Sequence, residues 1–190
     1  FLAKWLASGD VLTLNATNQN SDQYEYSLPI EIDISLTQSS YPLYISDQIK
    51  GAPIVVDIDN DGDSEIFFSD NQGYIHQFTA SGDEVVNAIW PFNTGDEMWG
   101  SIAADDIDND GFIDLVVGSK NKHLYVFDRN GLKLDYDAQS ALMGSPALGQ
   151  LDDDDDLEII IGGYSSSNKK IYAVNIDGTD IASFPVDIGE

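Results

Sequence analysis

Nine residues in the first half of the chain combine closely spaced carboxylates with a glycine, reading Asp57-Ile58-Asp59-Asn60-Asp61-Gly62-Asp63-Ser64-Glu65. Carboxylates occupy positions 1, 3, 5 and 9, and position 6 is Gly62, the residue type that adopts a left-handed turn at the lowest steric cost. Carboxylates this close repel one another unless a cation lies between them. Because Ca²⁺ prefers hard oxygen ligands arranged around a tight turn, the stretch predicts a Ca²⁺ site.

The loop does not fit the twelve-residue Ca²⁺ loop of the EF-hand. That loop needs a bidentate Glu at position 12, at the start of a helix. Position 12 is Phe68, in an apolar run that reads as a strand. Glu65 at position 9 must therefore close the site, with the backbone carbonyl of Asp63 at position 7 as a further ligand. The alternative is an acidic, solvated turn without metal, which the recurrence of the pattern disfavours.

The pattern occurs twice more along the chain. Residues 106–114 begin 49 residues later and again have carboxylates at positions 1, 3, 5 and 9 and glycine at position 6. Their position 12 is Val117, so the EF-hand fails here too. The third copy, residues 150–158, has Gln150 at position 1 and Asp155 in place of the glycine. Asp adopts a left-handed conformation less freely than Gly, so the sequence predicts two complete sites and a third that departs from the pattern.

Composition limits the classes of protein and partner. The chain has 190 residues, 42% of them hydrophobic, which is enough for a buried core. Its net charge of −26 argues against nucleic acid and anionic membranes as partners, and no run of residues is apolar enough to insert into a membrane. There is no cysteine, which excludes disulfides and thiolate metal sites. The chain begins with Phe1 instead of Met, which suggests a piece of a longer protein.

The first forty residues differ from the rest. Residues 11–17 read as a strand, and residues 24–37 alternate apolar and polar side chains with a period of two, which predicts a long strand with one buried face. Pro29 on its polar face suggests an edge position or a bulge. We interpret residues 1–40 as the end of a preceding β-sandwich-like domain or as a linker.

From Tyr41 onward the chain is repetitive. Each acidic loop is preceded by a segment that opens on a glycine, at Gly51, Gly100 and Gly144, and is followed by two apolar strands and a glycine turn. Each unit therefore holds about four short strands in 44 to 49 residues, the size of one β-propeller blade. Residues 41–190 divide into blades at about 41–92, 93–143 and 144–190. We predict an all-β fold, a partial β-propeller of about three four-stranded blades.

Three blades are fewer than the four to eight of a closed propeller. Three arrangements remain open: a fragment of a larger ring, an open arc of three blades, or the association of several copies of the chain. Self-association is thus one of the expectations for this chain.

The three loops, each followed by an apolar strand, resemble the Ca²⁺-binding repeats of integrin α-subunit propellers and their bacterial relatives, the FG-GAP and VCBS repeats. The resemblance covers roughly residues 41–190 and implies that each loop binds Ca²⁺ through positions 1, 3, 5 and 9 and the carbonyl of position 7. The implied metal ligands are Asp57, Asp59, Asp61, Asp63 and Glu65 in the first loop, Asp106, Asp108, Asp110, Phe112 and Asp114 in the second, and Asp152, Asp154, Asp156 and Glu158 in the third.

A looser resemblance links residues 144–152 and 157–163 to propellers at the C-terminal ends of large secreted bacterial proteins. Some of those are subtilisin-like peptidases. It implies an alternative role, as the accessory C-terminal region of a secreted hydrolase, or as part of a propeller enzyme.

The sequence offers no evident catalytic constellation. His76 and His123 occupy strand positions that the other units fill with ordinary residues, and no serine stands in a nucleophile-elbow context. The paired carboxylates that could act as a general acid and base belong to the acidic loops. Four aromatics outside the repeated strands could line a protein- or glycan-binding face, although packing is the commoner role for each: Trp90, Trp99, Tyr136 and Tyr164.

We therefore expect a non-catalytic, Ca²⁺-binding repeat module of a larger secreted or cell-surface protein, serving adhesion, protein or glycan binding, or scaffolding. The expected location is extracellular, where Ca²⁺ is plentiful.

Overall fold

A computed structural model describes residues 10–19, 25–34, 40–166 and 169–189. The described residues form strands and connecting loops and contain no helix. The chain divides into two compact units, Phe1–Leu43 and Tyr44–Glu190. The strands are β1 (Asp10–Gln19), β2 (Glu25–Ile34), β3 (Ile54–Val56), β4 (Glu65–Ser69), β5 (Tyr74–Thr79), β6 (Phe92–Asn93), β7 (Ala103–Asp105), β8 (Asp114–Gly118), β9 (His123–Asp128), β10 (Gly131–Asp137), β11 (Ala147–Gly149), β12 (Glu158–Gly162), β13 (Lys170–Val174) and β14 (Val186–Asp187).

The first unit holds one antiparallel pair, β1 and β2, with Asp10 opposite Ile34 and Gln19 opposite Glu25. Both predicted strands are therefore present, and the outer ends of the second prediction, Tyr24 and residues 35–37, lie outside the described residues. Pro29 pairs with Asn15 in unbroken register. In a two-stranded sheet each strand is an edge, so the edge position predicted for this proline holds among the described residues. The assignment of residues 1–40 to a β-sandwich-like remnant stays a prediction.

The second unit consists of three four-stranded antiparallel sheets in which strand order follows chain order. Their orders are β3-β4-β5-β6, β7-β8-β9-β10 and β11-β12-β13-β14. The first strand of the middle sheet, β7, lies at one edge of that sheet and contacts both β3 and β11. The all-β class and the three four-stranded blades predicted from the repeats are confirmed.

The middle sheet is buried on both faces, which explains its continuous apolar run. Leu115 and Val117 of β8 face the core shared with the first sheet, where Phe67 and Phe127 are fully buried. Val116, between them, belongs to the core shared with the third sheet. This alternation follows from the two-residue period of a strand. The hydrophobic stabilisation of the repeats therefore comes mainly from packing between neighbouring sheets.

The unit-opening glycines allow neighbouring sheets to approach closely. A Cβ atom on Gly51 would lie 2.4 Å from the carbonyl oxygen of Gly100, and one on Gly100 would lie 2.3 Å from that of Gly144. Hydrogen bonds join the same segments. Ala52 N donates to Ser101 Oγ, and Ser101 N donates to Ser145 Oγ, each at 2.8 Å. This repeated backbone contact fixes the spacing of the acidic loops that follow.

Candidate metal centres

Each acidic loop connects the first two strands of its sheet. In the first loop, the side chains of Asp57, Asp59 and Asp61 offer oxygens that all lie within 4.8 Å of one another. Asp57 organises the turn, since its Oδ1 accepts the amide of Asp61 at 3.1 Å and its Oδ2 accepts that of Gly62 at 2.9 Å. The first position is thus both a candidate ligand and the cap of the loop.

The second loop repeats this geometry. Asp106, Asp108 and Asp110 form the second group of oxygens within 4.8 Å. Asp106 accepts the amides of Asp110 at 3.0 Å and Gly111 at 2.8 Å. The Oδ1 atom of Asp108 is buried and has no hydrogen-bond partner, so it is available to a cation.

Two left-handed residues shape each of these loops. Gly62 has φ 96° and Gly111 has φ 89°, as the position-6 glycines predict. Asn60 and Asn109, at position 4, are also left-handed, with φ 63° and 56°. Asn is among the few non-glycine residues that tolerate this region. The sequence reasoning missed this role, although Asn at position 4 of both complete loops was the available signal.

The third loop folds differently, and it has Gln150 in place of the first carboxylate and Asp155 in place of the glycine. No residue from 150 to 158, all of them described, has a positive φ. The Gln150 side-chain amide donates to the carbonyls of Asp154 and, at 2.9 Å, Asp156, so the position-7 carbonyl already has a hydrogen-bond donor. Asp152, Asp154 and Glu158 nevertheless form a third group of oxygens within 4.8 Å.

The position-9 carboxylates close all three loops from the first residue of the following strand. Glu65, Asp114 and Glu158 are buried. Each accepts the backbone amide of position 2, which is Ile58 at 3.3 Å in the first loop and the equivalent residue in the other two. In the first two loops this carboxylate lies outside the grouped oxygens, whereas Glu158 belongs to its group and its buried Oε1 has no partner.

The residues at position 7 are held in place by hydrogen bonds from their backbone amides. The backbone N–H groups of Asp63, Phe112 and Asp156 donate to the position-5 carboxylate of their own loops, at 2.8, 2.9 and 2.9 Å. The structure thus places these residues at the loop as predicted, and their metal coordination through the carbonyl stays a prediction. Position 12 of the complete loops falls on buried strand residues, Phe68 and Val117, which agrees with the exclusion of an EF-hand.

A lysine that the sequence reasoning did not single out reaches the second loop. The Nζ atom of Lys133 in β10 lies 2.6 Å from Asp108 Oδ2 and 3.0 Å from Asp114 Oδ1. The ammonium loses hydration by burial, which lowers its pKa, but hydrogen bonds to the two carboxylates raise the pKa by more. Lys133 is therefore positively charged at neutral pH.

Burial disfavours ionisation of two position-9 carboxyls. Loss of hydration raises the pKa of Glu65, and the nearby carboxylates of its loop raise it further, against a lowering by the Ile58 amide. Burial also raises the pKa of Asp114, and the hydrogen bond from Lys133 offsets only part of that rise. Folding without metal therefore raises the pKa of both carboxyls above their unfolded values.

This preference predicts that metal-free protein gains stability on mild acidification. A carboxyl whose pKa is raised by folding contributes stability that is present below its unfolded pKa of about 4 and is lost as pH rises through the folded pKa. The Tm of protein stripped of metal should therefore rise as pH falls through the raised folded pKa toward the unfolded pKa of about 4. In saturating Ca²⁺ the trend should be absent or reversed, because protons then compete with the ion. A Tm that falls equally with pH in both conditions would contradict the prediction.

The carboxylate oxygens fit a Ca²⁺ ion. Ca²⁺ binds oxygens at about 2.3–2.6 Å, so ligands on opposite sides of the ion are up to about 5 Å apart. The oxygens of each group lie within 4.8 Å of one another, close enough for one ion to contact all of them. The donor set is carboxylate oxygen, without sulfur or imidazole, which favours a hard cation. The unpartnered buried oxygens of Asp108 and Glu158 supply further capacity.

The histidines and exposed aromatics lie elsewhere. His76 is held between Glu84 Oε1 at 2.7 Å and Asp70 Oδ2 at 3.2 Å, and His123 pairs with Asp135. Trp90 is buried in the core between the first two sheets. Tyr136 donates its hydroxyl to a carboxylate at 2.7 Å. Two aromatics are exposed with ring centroids 6.1 Å apart, Trp99 and Tyr164.

Comparison with known proteins locates one recognised repeat. Residues 57–117 match the family model described as an FG-GAP-like repeat. The resemblance to FG-GAP repeats predicted from the loops is confirmed over this segment, which begins at the first acidic loop and ends in the strand after the second. No curated protein matches the chain. Among the described residues, no helix is long and apolar enough to cross a membrane.

Solved structures similar to the chain include two crystals of BBS1N in complex with ARL6DN. The lead-soaked crystal has a TM-score of 0.47 and 21% identity, over 83% of this chain and 44% of that one. The mercury-soaked crystal has a TM-score of 0.46 and 14% identity, over 72% of this chain and 44% of that one. The V. cholerae biofilm matrix protein Bap1 has a TM-score of 0.41 and 20% identity, over 91% of this chain and 35% of that one. The chain spans less than half the length of each.

Proposed function

We propose that this chain is a non-catalytic, Ca²⁺-binding repeat module of a secreted or cell-surface protein, in which the metal serves the structure. The observation that carries the proposal is the recurrence of one loop geometry in consecutive sheets. In both complete loops a position-1 aspartate caps two amides, and the three aspartates present oxygens within 4.8 Å of one another. A solvated turn has no need to converge its carboxylates in this way.

The residues that would hold the ion are those of the loops. In the first loop these are the aspartates at positions 1, 3 and 5, the carbonyl of Asp63 and the carboxylate of Glu65. The second loop offers the equivalent set from Asp106 to Asp114. A bound Ca²⁺ supplies positive charge that removes the repulsion among these carboxylates and holds the loop against the start of the next strand. Its role would thus be to fix the hairpin that packs against the neighbouring sheet.

We propose an adhesion, binding or scaffolding role toward a protein or a glycan. The chain carries 34 acidic and 8 basic residues, which disfavours nucleic acid and anionic membranes as partners. Both histidines pair with carboxylates in positions that the repeat explains, which supports a non-catalytic role. Extracellular Ca²⁺ modules work at Kd values on the order of 10⁻⁴ to 10⁻³ M, which supports a location outside the cell.

The proposal is tested by counting bound ions. Equilibrium dialysis against Ca²⁺, with metal analysis, should give two ions per chain for the unaltered protein and one for Asp57→Asn or Asp106→Asn. Asn keeps an oxygen that can accept a loop amide but removes the charge, so folding should persist. Gln150→Asn, a change in the loop whose position 1 has no carboxylate, is the matched control and should leave the count unchanged. The absence of bound Ca²⁺ in the unaltered protein would refute the proposal.

A further inference from the structure

Lys133 occupies an unusual position in the repeat. Counted from the turn glycines, it lies two residues after Gly131, where the other units have Glu84 after Gly82 and Asp180 after Gly178. A cation therefore replaces an anion only in the second unit, in a chain with few basic residues. Glu84 instead pairs with His76, and Asp180 accepts a hydrogen bond from the hydroxyl of Tyr136.

The backbone of β10 directs Lys133 toward the second loop. The register between β9 and β10 shifts between Leu132 and Leu134, so Lys133 is the extra residue of a β-bulge. Bulges commonly redirect a side chain away from the regular alternation of a strand. In the first and third units the equivalent acidic residues instead form isolated bridges, Glu84 with Phe78 and Asp180 with Val174. The second unit alone among the three has both the bulge and the cation.

The ammonium contacts two of the second loop's candidate ligands. Its Nζ lies 2.6 Å from Asp108 Oδ2 and 3.0 Å from Asp114 Oδ1, and the lysine side chain is only 20% exposed. No lysine or arginine ion pair is found with the first loop among the described residues. The two loops otherwise share their carboxylate spacing and their left-handed positions. At position 7 the first loop has Asp63 and the second has Phe112, and at position 9 the pair is Glu65 and Asp114. Beyond these differences in the ligand set, only the second loop, among the described residues, has a lysine paired with its candidate ligands.

We infer that Lys133 is a built-in counter-cation of the second loop, which lowers the Ca²⁺ affinity of that loop relative to the first. The inference rests on the proposed Ca²⁺ binding and adds to it. A Ca²⁺ ion entering the second loop must displace the ammonium from Asp108 and Asp114 or bind beside its charge, and either process opposes binding. In return, the ammonium partly neutralises the empty loop. The chain thus has two Ca²⁺ thresholds, with the first loop filling before the second.

The test measures Ca²⁺ binding to the second loop alone, by isothermal titration in an Asp57→Asn background that removes the first site. Lys133→Met, which keeps the length of the aliphatic chain, should lower the Kd of the remaining site by ~10-fold, since one unit charge leaves a half-buried position. Lys133→Arg keeps the charge and should restore the weaker binding. Lys120→Met is the matched control, because Lys120 pairs with Asp96 and Glu97 and contacts none of the loops.

A second readout separates charge compensation from ordinary packing. Lys133→Met should lower the Tm of metal-free protein, because the loop then loses its counter-cation, and should leave the Tm unchanged in saturating Ca²⁺. Two results would overturn the inference while leaving Ca²⁺ binding intact. One is an equal loss of Tm in both conditions, and the other is a Kd for Lys133→Met within twofold of the Kd measured with Lys133 in place. If neither the Lys133 form nor any variant binds Ca²⁺, the proposed function fails and the inference fails with it.

Discussion

Two millimolar Ca²⁺ is expected to raise the Tm of this chain by roughly 5–10 °C over metal-free protein. A ligand that binds only the folded state stabilises it by RT ln(1 + [L]/Kd), which is ~1.8 kcal/mol per site for a Kd of ~10⁻⁴ M. A second loop that binds ~10-fold more weakly contributes ~0.6 kcal/mol at the same Ca²⁺ concentration, so the two complete loops would together contribute ~2.4 kcal/mol. A domain of this size gains about 2–4 °C in Tm per kcal/mol. Differential scanning calorimetry of metal-stripped protein, with and without the ion, measures the shift.

Non-specific screening must be separated from binding, because any cation weakens repulsion in a chain with a net charge of −26. Two millimolar Mg²⁺ has the same charge and ionic strength but requires a smaller, more regular ligand shell than these loops supply. It should therefore give less than half of the Ca²⁺ shift. The double variant Asp57→Asn/Asp106→Asn should lose nearly all of it. Equal shifts with the two ions, or an undiminished shift in the double variant, would identify screening as the cause.

The direction of the Ca²⁺ effect follows from the energetics of the empty loops. In the first loop the converging carboxylates have only backbone amides as partners among the described contacts, and burial penalises the ionised form of Glu65. The loop is joined to its neighbour by a hydrogen bond from Asn60 to the carbonyl of Gly111 at 3.2 Å. The second loop is joined to the third by one from Leu157 N to Ile107 O at 2.8 Å. Ordering one loop should therefore help to order the next.

Much of the fold could be predicted because each unit is specified by local signals that occur in triplicate. The apolar run Ile66–Phe68 lies within β4, and its equivalents lie within β8 and β12. The glycine at position 6 of each complete loop is left-handed as expected. A single loop would have been ambiguous between a metal site and a solvated turn. The repetition at intervals of 49 and 44 residues identified the three four-stranded sheets, while metal binding stays a prediction.

The rest depends on contacts that no periodicity encodes. The side-chain amide of Gln150 donates to the backbone carbonyls of Asp154 and Asp156, a contact that depends on the rotamer of the glutamine. Lys133 reaches the second loop only because a bulge interrupts β10, and a bulge has no regular signature in one sequence. The sequence does show Lys133 at a repeat position that is acidic in the other two units. It does not show which carboxylates the lysine contacts.

Replacing Phe127 by alanine is expected to destabilise the chain by about 3–5 kcal/mol, the range for a fully buried aromatic side chain. Phe127 has no exposed surface, and its ring lies between the first two sheets, with centroids 4.8 Å from Phe92 and 5.2 Å from Trp90. The cavity would open where the two sheets meet, and the surrounding backbone, held by the unit-opening glycines, has little freedom to collapse. Urea unfolding in saturating Ca²⁺ measures the loss.

The same variant tests whether packing between sheets supports the metal loops. Ile58, which donates its amide to Glu65, belongs to the same buried cluster as Phe127, so loosening this core should also weaken Ca²⁺ binding at the first loop. The second loop's amide donor, Ile107, lies in the other cluster and should be less affected. Tyr44→Ala removes an aromatic side chain that is 92% exposed and should change stability by less than ~0.5 kcal/mol. If Phe127→Ala cost no more than this control, the sheets would not depend on each other for stability, and the loops could not be coupled through their shared core.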